Sequence, residues 1–142
     1  KTLVIGPAFE PSEIQRLYRS FSPTFDLALS PSSLKPYIQR AGVVLTAAGS
    51  TVYEILRLGR IPVIFELAEN QKWIGEALRA SGVCNLGWYE SLSAERVLHA
   101  VSTTAGEKNI LTQTYRNLFS RFDGQGVRRI VQKIEALIAR DA

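Results

Sequence analysis

The chain has 142 residues, 46% of them apolar and 21% charged, and 17 Lys and Arg against 13 Asp and Glu leave a net charge of +4. This composition excludes a disordered chain and fits a single globular domain spanning residues 1–142. The longest apolar stretches, at residues 2–5, 42–48 and 61–65, are far shorter than the ~20 residues a membrane span requires. No charged-then-apolar leader opens the sequence, so a cytoplasmic protein with no transmembrane segment is expected.

The pattern alternates short β-type runs with helical periodicity. Residues 2–5 (Thr-Leu-Val-Ile) form a strand stopped by Gly6 and Pro7. Pro11 and Ser12 open a helix in which Ile14, Leu17, Tyr18 and Phe21 share one face, expected to be buried. Residues 25–29 read as the next strand, and Pro31, Ser32 and Ser33 introduce a short helix with Leu34, Tyr37 and Ile38. Residues 42–46 are a third strand, continuously apolar as strands covered on both faces are.

Ala47 to Thr51 turn the chain into a helix carrying Val52, Ile55, Leu56 and Leu58, closed by Gly59. Residues 61–65 are a strand, and residues 70–80 a helix with Trp73, Ile74, Ala77 and Leu78 inward. Gly82 ends it, residues 83–86 form a fifth strand, and Ser93 caps a helix running to about Ser102. Two more helices follow, at about 107–120 and 126–140. The second carries an apolar stripe of Val127, Ile130, Val131, Ile134, Leu137 and Ile138, with Arg128, Arg129, Lys133 and Arg140 opposite. Strands alternating with helices predict an α/β fold: a three-layer, Rossmann-like, doubly wound, mainly parallel sheet of five or six strands.

The residue inventory narrows the chemistry. One cysteine, Cys84, excludes an intramolecular disulfide, and with one histidine, His99, no Cys/His zinc site can be assembled. Cys84 reads as a small strand residue and His99 as a packed or surface side chain. No metal ligand set and no cofactor motif is found. The cations are dispersed, with no Lys/Arg run, so nucleic acid is not an expected partner.

In an open α/β sheet ligands bind beyond the carboxyl ends of the strands, and the loop after the third strand is the most informative there. Ala47, Ala48 and Gly49 let a ligand approach the backbone, and Ser50 and Thr51 add hydroxyls next to the N–H groups of a helix start, which suit a phosphate. The loop is neither a P-loop nor a dinucleotide fingerprint. The same residues also fit a capping box, with Glu54 turning back from the third helical position, and the local pattern by itself favours the cap. Asn70 likewise fits a helix cap, and Asp123 to Gly126 a turn.

Several ordered motifs together resemble a known family. Thr46-Ala47-Ala48-Gly49-Ser50-Thr51-Val52-Tyr53-Glu54, then Leu58-Gly59-Arg60-Ile61-Pro62-Val63, then Leu67-Ala68-Glu69-Asn70-Gln71 resemble the carboxyl-terminal half of a GT-B nucleotide-sugar enzyme. The nearest resemblance is to the UDP-sugar hydrolases of pseudaminic acid biosynthesis and their spore-coat polysaccharide relatives, and a more distant one is to the N-acetylglucosaminyltransferases of peptidoglycan synthesis. Val4-Ile5-Gly6-Pro7-Ala8 is similar to an early strand of the family, and Asp123-Gly124-Gln125-Gly126 with Arg129 to its closing Asp-Gly-x-Gly-x-x-Arg.

The resemblance implies a site for UDP or a UDP-sugar. Gly49, Ser50 and Thr51 would hold the diphosphate, Glu54 the ribose hydroxyls, main chain near Leu29 and Ser30 the uracil edge, and Asn70 with Gln71 the sugar or its phosphate. Within that resemblance the ribose role of Glu54 ranks above the cap. The implied partner is an amino-terminal GT-B domain of the same protein, on which the catalytic residues are expected. His99 does not match the family's histidine, so this chain alone is expected to be catalytically silent. No segment matches the strand and Gly-Gly-Ser-type loop that usually open the family's second domain. The expected activity is hydrolysis of a UDP-sugar, the alternatives being a UDP-sugar glycosyltransferase of the same architecture and a non-catalytic nucleotide-binding module.

Overall fold

A computed structural model describes residues 1–21 and 23–139. The chain divides into two compact units, Lys1–Arg40 and Ala41–Ala142.

The first unit is a βαβ segment followed by a short helix: β1 (Thr2–Ile5), α1 (Pro11–Phe21), β2 (Asp26–Leu29) and α2 (Lys35–Arg40). β1 and β2 are parallel, in register from Thr2 opposite Asp26 to Ile5 opposite Leu29. Ser30 N–H extends the ladder by donating to the Ile5 carbonyl at 2.8 Å. Ile5, Ala28 and Ile38 are buried. The apolar face of α1 is less covered than its spacing predicts: none of its residues is buried, and Tyr18 and Phe21 are exposed. A sheet of two four-residue strands has too little surface to cover an eleven-residue helix.

The second unit holds β3 (Val43–Ala47), α3 (Thr51–Arg57), β4 (Ile61–Glu66), a 3-10 turn (Glu69–Gln71), α4 (Lys72–Ala80) and β5 (Cys84–Trp88). A second 3-10 turn (Tyr89–Ser91) leads to α5 (Ala94–Gly106), α6 (Lys108–Thr114), α7 (Arg116–Arg121) and α8 (Gly126–Ile138). The sheet order is β3-β4-β5, all parallel, with Val43 opposite Ile61 and Ala47 opposite Phe65. β4 is the middle strand, and five of its six residues are buried, which is why it reads as one apolar run. Ala48, Val52, Leu56, Ile61, Ile64, Leu78, Val83, Tyr115 and Leu118 form the core.

These parallel sheets with helices between successive strands make a Rossmann-like α/β fold. The five strands belong to two sheets rather than to one, because among the described residues β1 bonds only to β2 and β3 only to β4. No helix of the described residues is long and apolar enough to cross a membrane.

Local details explain where elements stop. Gly59 adopts φ +66°, the left-handed cap geometry, and the N–H groups of Gly59 and Arg60 return to the carbonyls of Leu56 and Ile55, both at 3.0 Å. Ser93 caps α5 as expected, its hydroxyl accepting from Arg96 N–H. The single helix expected over 107–120 is two, joined at Tyr115, where φ −83° and ψ 0° turn the chain and sink the ring into the core.

Trp73, expected inward, is 79% exposed, and Ala77 is exposed as well. The face of α4 that meets the sheet is centred on Gly75 and Leu78, and Trp73 lies on the far side of the helix from them. Its neighbour Lys72 holds an ammonium 5.1 Å from the centre of the Trp88 ring. α8 buries none of its stripe: Val127 is 77% exposed and Ile134 51%. Arg140 lies outside the described residues.

Candidate functional site

At the carboxyl end of the second sheet, two loops lie side by side. Register sets Ala47 opposite Phe65, and Ala48 N–H donates to the Phe65 carbonyl at 2.7 Å, so the loop after β3 is tied to the end of β4.

The loop after β3 is half open. Gly49 N–H donates to the Ala47 carbonyl at 2.8 Å, a tight turn that uses up that donor. The carbonyls of Gly49 and Ser50 accept from Val52 N–H (3.1 Å) and Tyr53 N–H (3.0 Å). Among the described residues, the N–H groups of Ser50 and Thr51 donate to no backbone carbonyl, so two of the three donors named from the sequence are left over. A Cβ built on Gly49 meets nothing within 4 Å, and its φ is not left-handed, so the fold itself does not require glycine here.

The capping box does not form. The N-cap is Ser50, in helical geometry with no side-chain cap hydrogen bond, and the exposed Glu54 carboxylate takes no hydrogen bond from a described residue. Its acceptor oxygens remain available. Tyr53 beside it stacks on Phe122, ring centres 5.3 Å apart, which links α3 to the turn before α8.

After β4, Gln71 holds its own loop. Its Oε1 accepts from Leu67 N–H at 2.9 Å, which leaves the amide NH2 as the side chain's donor end. Asn70 is exposed on the 3-10 turn and does not cap α4, whose N-cap is Gln71, with no side-chain cap bond. Glu69 pairs with Lys72 at 2.8 Å on the surface.

Comparison with protein-family models, curated proteins and solved structures returns no match. The second unit brings Gly49, Ser50, Thr51 and Glu54 together on one loop and helix start, and sets beside it the loop that carries Asn70 and Gln71. Leu29 and Ser30 belong to the first unit, both exposed at the end of β2. Ser30 is the one residue other than glycine with positive φ among the described residues, at +37°, an outlier of the kind that collects at ligand sites. The loop that follows it borders a cavity of about 360 Å³ lined by Pro31, Ser32, Ser33, Pro36, Tyr37 and Arg40.

The closing motif is structural in its contacts. Asp123 takes a two-pronged bond from Arg129, at 2.7 and 3.1 Å, and accepts Gln125 N–H at 2.9 Å. The guanidinium, then the backbone N–H, hold the Asp123 carboxyl down at about 2. This pair braces the first turns of α8. Gly124, at φ +74°, lets the Arg57 side chain pass close by, since a Cβ there would lie 3.3 Å from Arg57 Nε.

Two groupings were not visible in the sequence. Cys84 and His99 both line a cavity of about 340 Å³ with Thr104, Glu107 and Tyr115, and burial pushes the Cys84 thiol up despite the opposing charge of Arg96. A thiol held protonated is a poor nucleophile, in keeping with its packing role. The other grouping is Glu66 with Asn85 and Gly75, on three different elements. Only the end-of-strand position of Glu66 pointed to it.

Proposed function

We propose that this chain binds a UDP-sugar and belongs to a cytoplasmic nucleotide-sugar hydrolase of bacterial surface polysaccharide or nonulosonic acid biosynthesis, which releases UDP. The observation that supports it best is the state of the loop after β3. Ser50 and Thr51 offer unspent N–H groups, Gly49 leaves open space that the fold does not need, and Glu54 forgoes the cap that would otherwise account for it.

In this reading the diphosphate oxygens accept hydrogen bonds from the N–H groups and hydroxyls of Ser50 and Thr51, above a Gly49 that admits them to the backbone. The Glu54 carboxylate, one turn along α3, accepts from both ribose hydroxyls at once. Asn70 and the free amide of Gln71 donate to the sugar or its phosphate. None of these residues activates water, so an amino-terminal domain of the same protein supplies that step, and this chain contributes binding and orientation.

The test is calorimetric titration of UDP and UMP into the wild-type chain and into Glu54→Gln and Gly49→Val. Incubating the full-length protein with a panel of UDP-sugars, with and without acceptor, separates hydrolysis from glycosyl transfer: UDP release that needs no acceptor is the result expected.

A further inference from the structure

Glu66 is the one acidic or basic side chain buried among the described residues, 7% exposed at the last position of β4. Among the described residues no cation pairs with it: the ion pairs between them are Lys72 with Glu69 and Arg129 with Asp123, and the side-chain donor that Glu66 meets there is neutral. Asn85 Nδ2 donates to its Oε1 at 2.8 Å, and Asn85 Oδ1 accepts from Gly87 N–H at 2.8 Å, which fixes the amide with its NH2 toward the carboxylate. No further hydrogen bond from a described residue reaches the carboxylate, so Oε2 keeps its acceptor capacity.

The surroundings are shaped to admit this group. A Cβ on Gly75, within α4, would lie 2.3 Å from Glu66 Oε1 and 2.7 Å from Asn85 Nδ2. Glycine inside a helix is unfavourable, and Gly87 sits at φ +84°, so two backbone concessions and an asparagine surround one carboxylate. Stability is a weak reason for the arrangement, because replacing both partners of a buried polar pair by apolar groups of like shape is often nearly neutral or stabilising. Its place suggests a purpose. Glu66 directly follows Phe65, whose carbonyl holds Ala48 N–H, so its backbone ends β4 next to the loop after β3, at the ligand end of the sheet, while its carboxylate lies against Gly75 of α4 and Asn85 of β5.

We propose that Glu66 binds the sugar of the UDP-sugar, its carboxylate accepting hydrogen bonds from sugar hydroxyl groups. This rests on the reading of the Gly49 loop as the diphosphate site. Charge selects the ligand group: a carboxylate repels a diphosphate, so what it takes from a nucleotide-sugar is the part rich in donors. Glu66 then discriminates UDP-sugar from UDP, whereas Glu54 acts on both alike.

The test titrates UDP, UDP-glucose and UDP-N-acetylglucosamine into the 142-residue chain as wild type, Glu66→Gln, Gly75→Ala and Glu54→Gln, with thermal unfolding of each variant as the folding control. Glu66→Gln keeps the Asn85 bond and the side-chain shape. The expected result is that wild type binds at least one of the two UDP-sugars more tightly than UDP. Glu66→Gln then loses about tenfold or more for that sugar nucleotide and stays within about twofold for UDP. Gly75→Ala, which displaces the carboxylate without removing it, shows the same selective loss, while Glu54→Gln weakens UDP and UDP-sugar by the same factor. Equal loss for UDP and UDP-sugar in Glu66→Gln, no loss for either, or a wild type that binds UDP without gain from either sugar overturns the role of Glu66 and leaves the nucleotide site standing. A wild type that binds none of the three overturns both.

Discussion

The Tyr115 hydroxyl donates to the Gly82 carbonyl at 2.5 Å, across 33 residues of sequence, and this bond joins the end of α6 to the turn that feeds β5. The ring is 2% exposed and meets Phe119 edge to face, centres 6.0 Å apart. Tyr115→Phe keeps the packing and leaves the Gly82 carbonyl without this donor, so a loss of about 1 kcal/mol is expected. Tyr115→Ala also empties the core position and is expected to cost about 3–5 kcal/mol. Urea unfolding of the two variants checks the order. Equal stability for Tyr115→Phe and wild type would show that the bond contributes nothing.

The Asp123–Arg129 pair predicts an acid response confined to α8. The folded carboxyl titrates at about 2 against an ordinary 3.8, so the pair stabilises the fold above pH 3.8, and this contribution is lost as pH falls toward 2. Amide NMR signals of residues 126–130 are expected to shift with a midpoint near 2, and Asp123→Asn to remove that transition. A midpoint at the ordinary carboxyl value would contradict the pairing.

Gly75→Ala tests the space around Glu66 as a matter of stability. Better helix propensity would favour alanine in an open helix by roughly 0.5–1 kcal/mol. Here the added carbon meets a carboxylate oxygen at 2.3 Å, so a net destabilisation of about 1–3 kcal/mol is expected. Thermal unfolding decides the sign, and a stabilised variant would show that Glu66 moves aside freely.

The core and the α8 stripe have similar residues and opposite expected costs. Ile55 is fully buried, and Ile55→Ala is expected to cost about 2–5 kcal/mol. Ile134→Ala, on the exposed stripe, is expected to stay within about 0.5 kcal/mol. A large cost for Ile134→Ala in the isolated chain would mean that α8 is covered in solution.

Strand and helix identity was legible because each rests on local period and punctuation: the Val43–Ala47 and Ile61–Glu66 runs, the Gly59 stop and the Ser93 cap all stand where the residues placed them. What failed was which way a helix faces. Trp73 turned outward because Gly75 sits against Glu66, and that contact links residues on separate elements, which periodicity within one helix does not register. The α8 stripe has core-like spacing but no described partner over it, since a pattern records the face and not its cover. The candidate site was legible as a loop of small and hydroxyl residues. That the Glu54 cap does not form, and that Gln71 gives its oxygen to Leu67 and keeps its NH2, are matters of three-dimensional geometry.

The account stands most directly on UDP binding at the loop after β3. Calorimetric titration of UDP into folded wild type, Glu54→Gln and Gly49→Val measures it. Saturable binding to wild type is predicted, with a loss of about 1.5 kcal/mol or more, roughly tenfold, in Glu54→Gln, and no binding of UDP or UMP in Gly49→Val, where nothing lies within 4 Å of the added Cβ and thermal unfolding checks the fold. Wild-type affinity in both variants, or no binding to wild type, would contradict it.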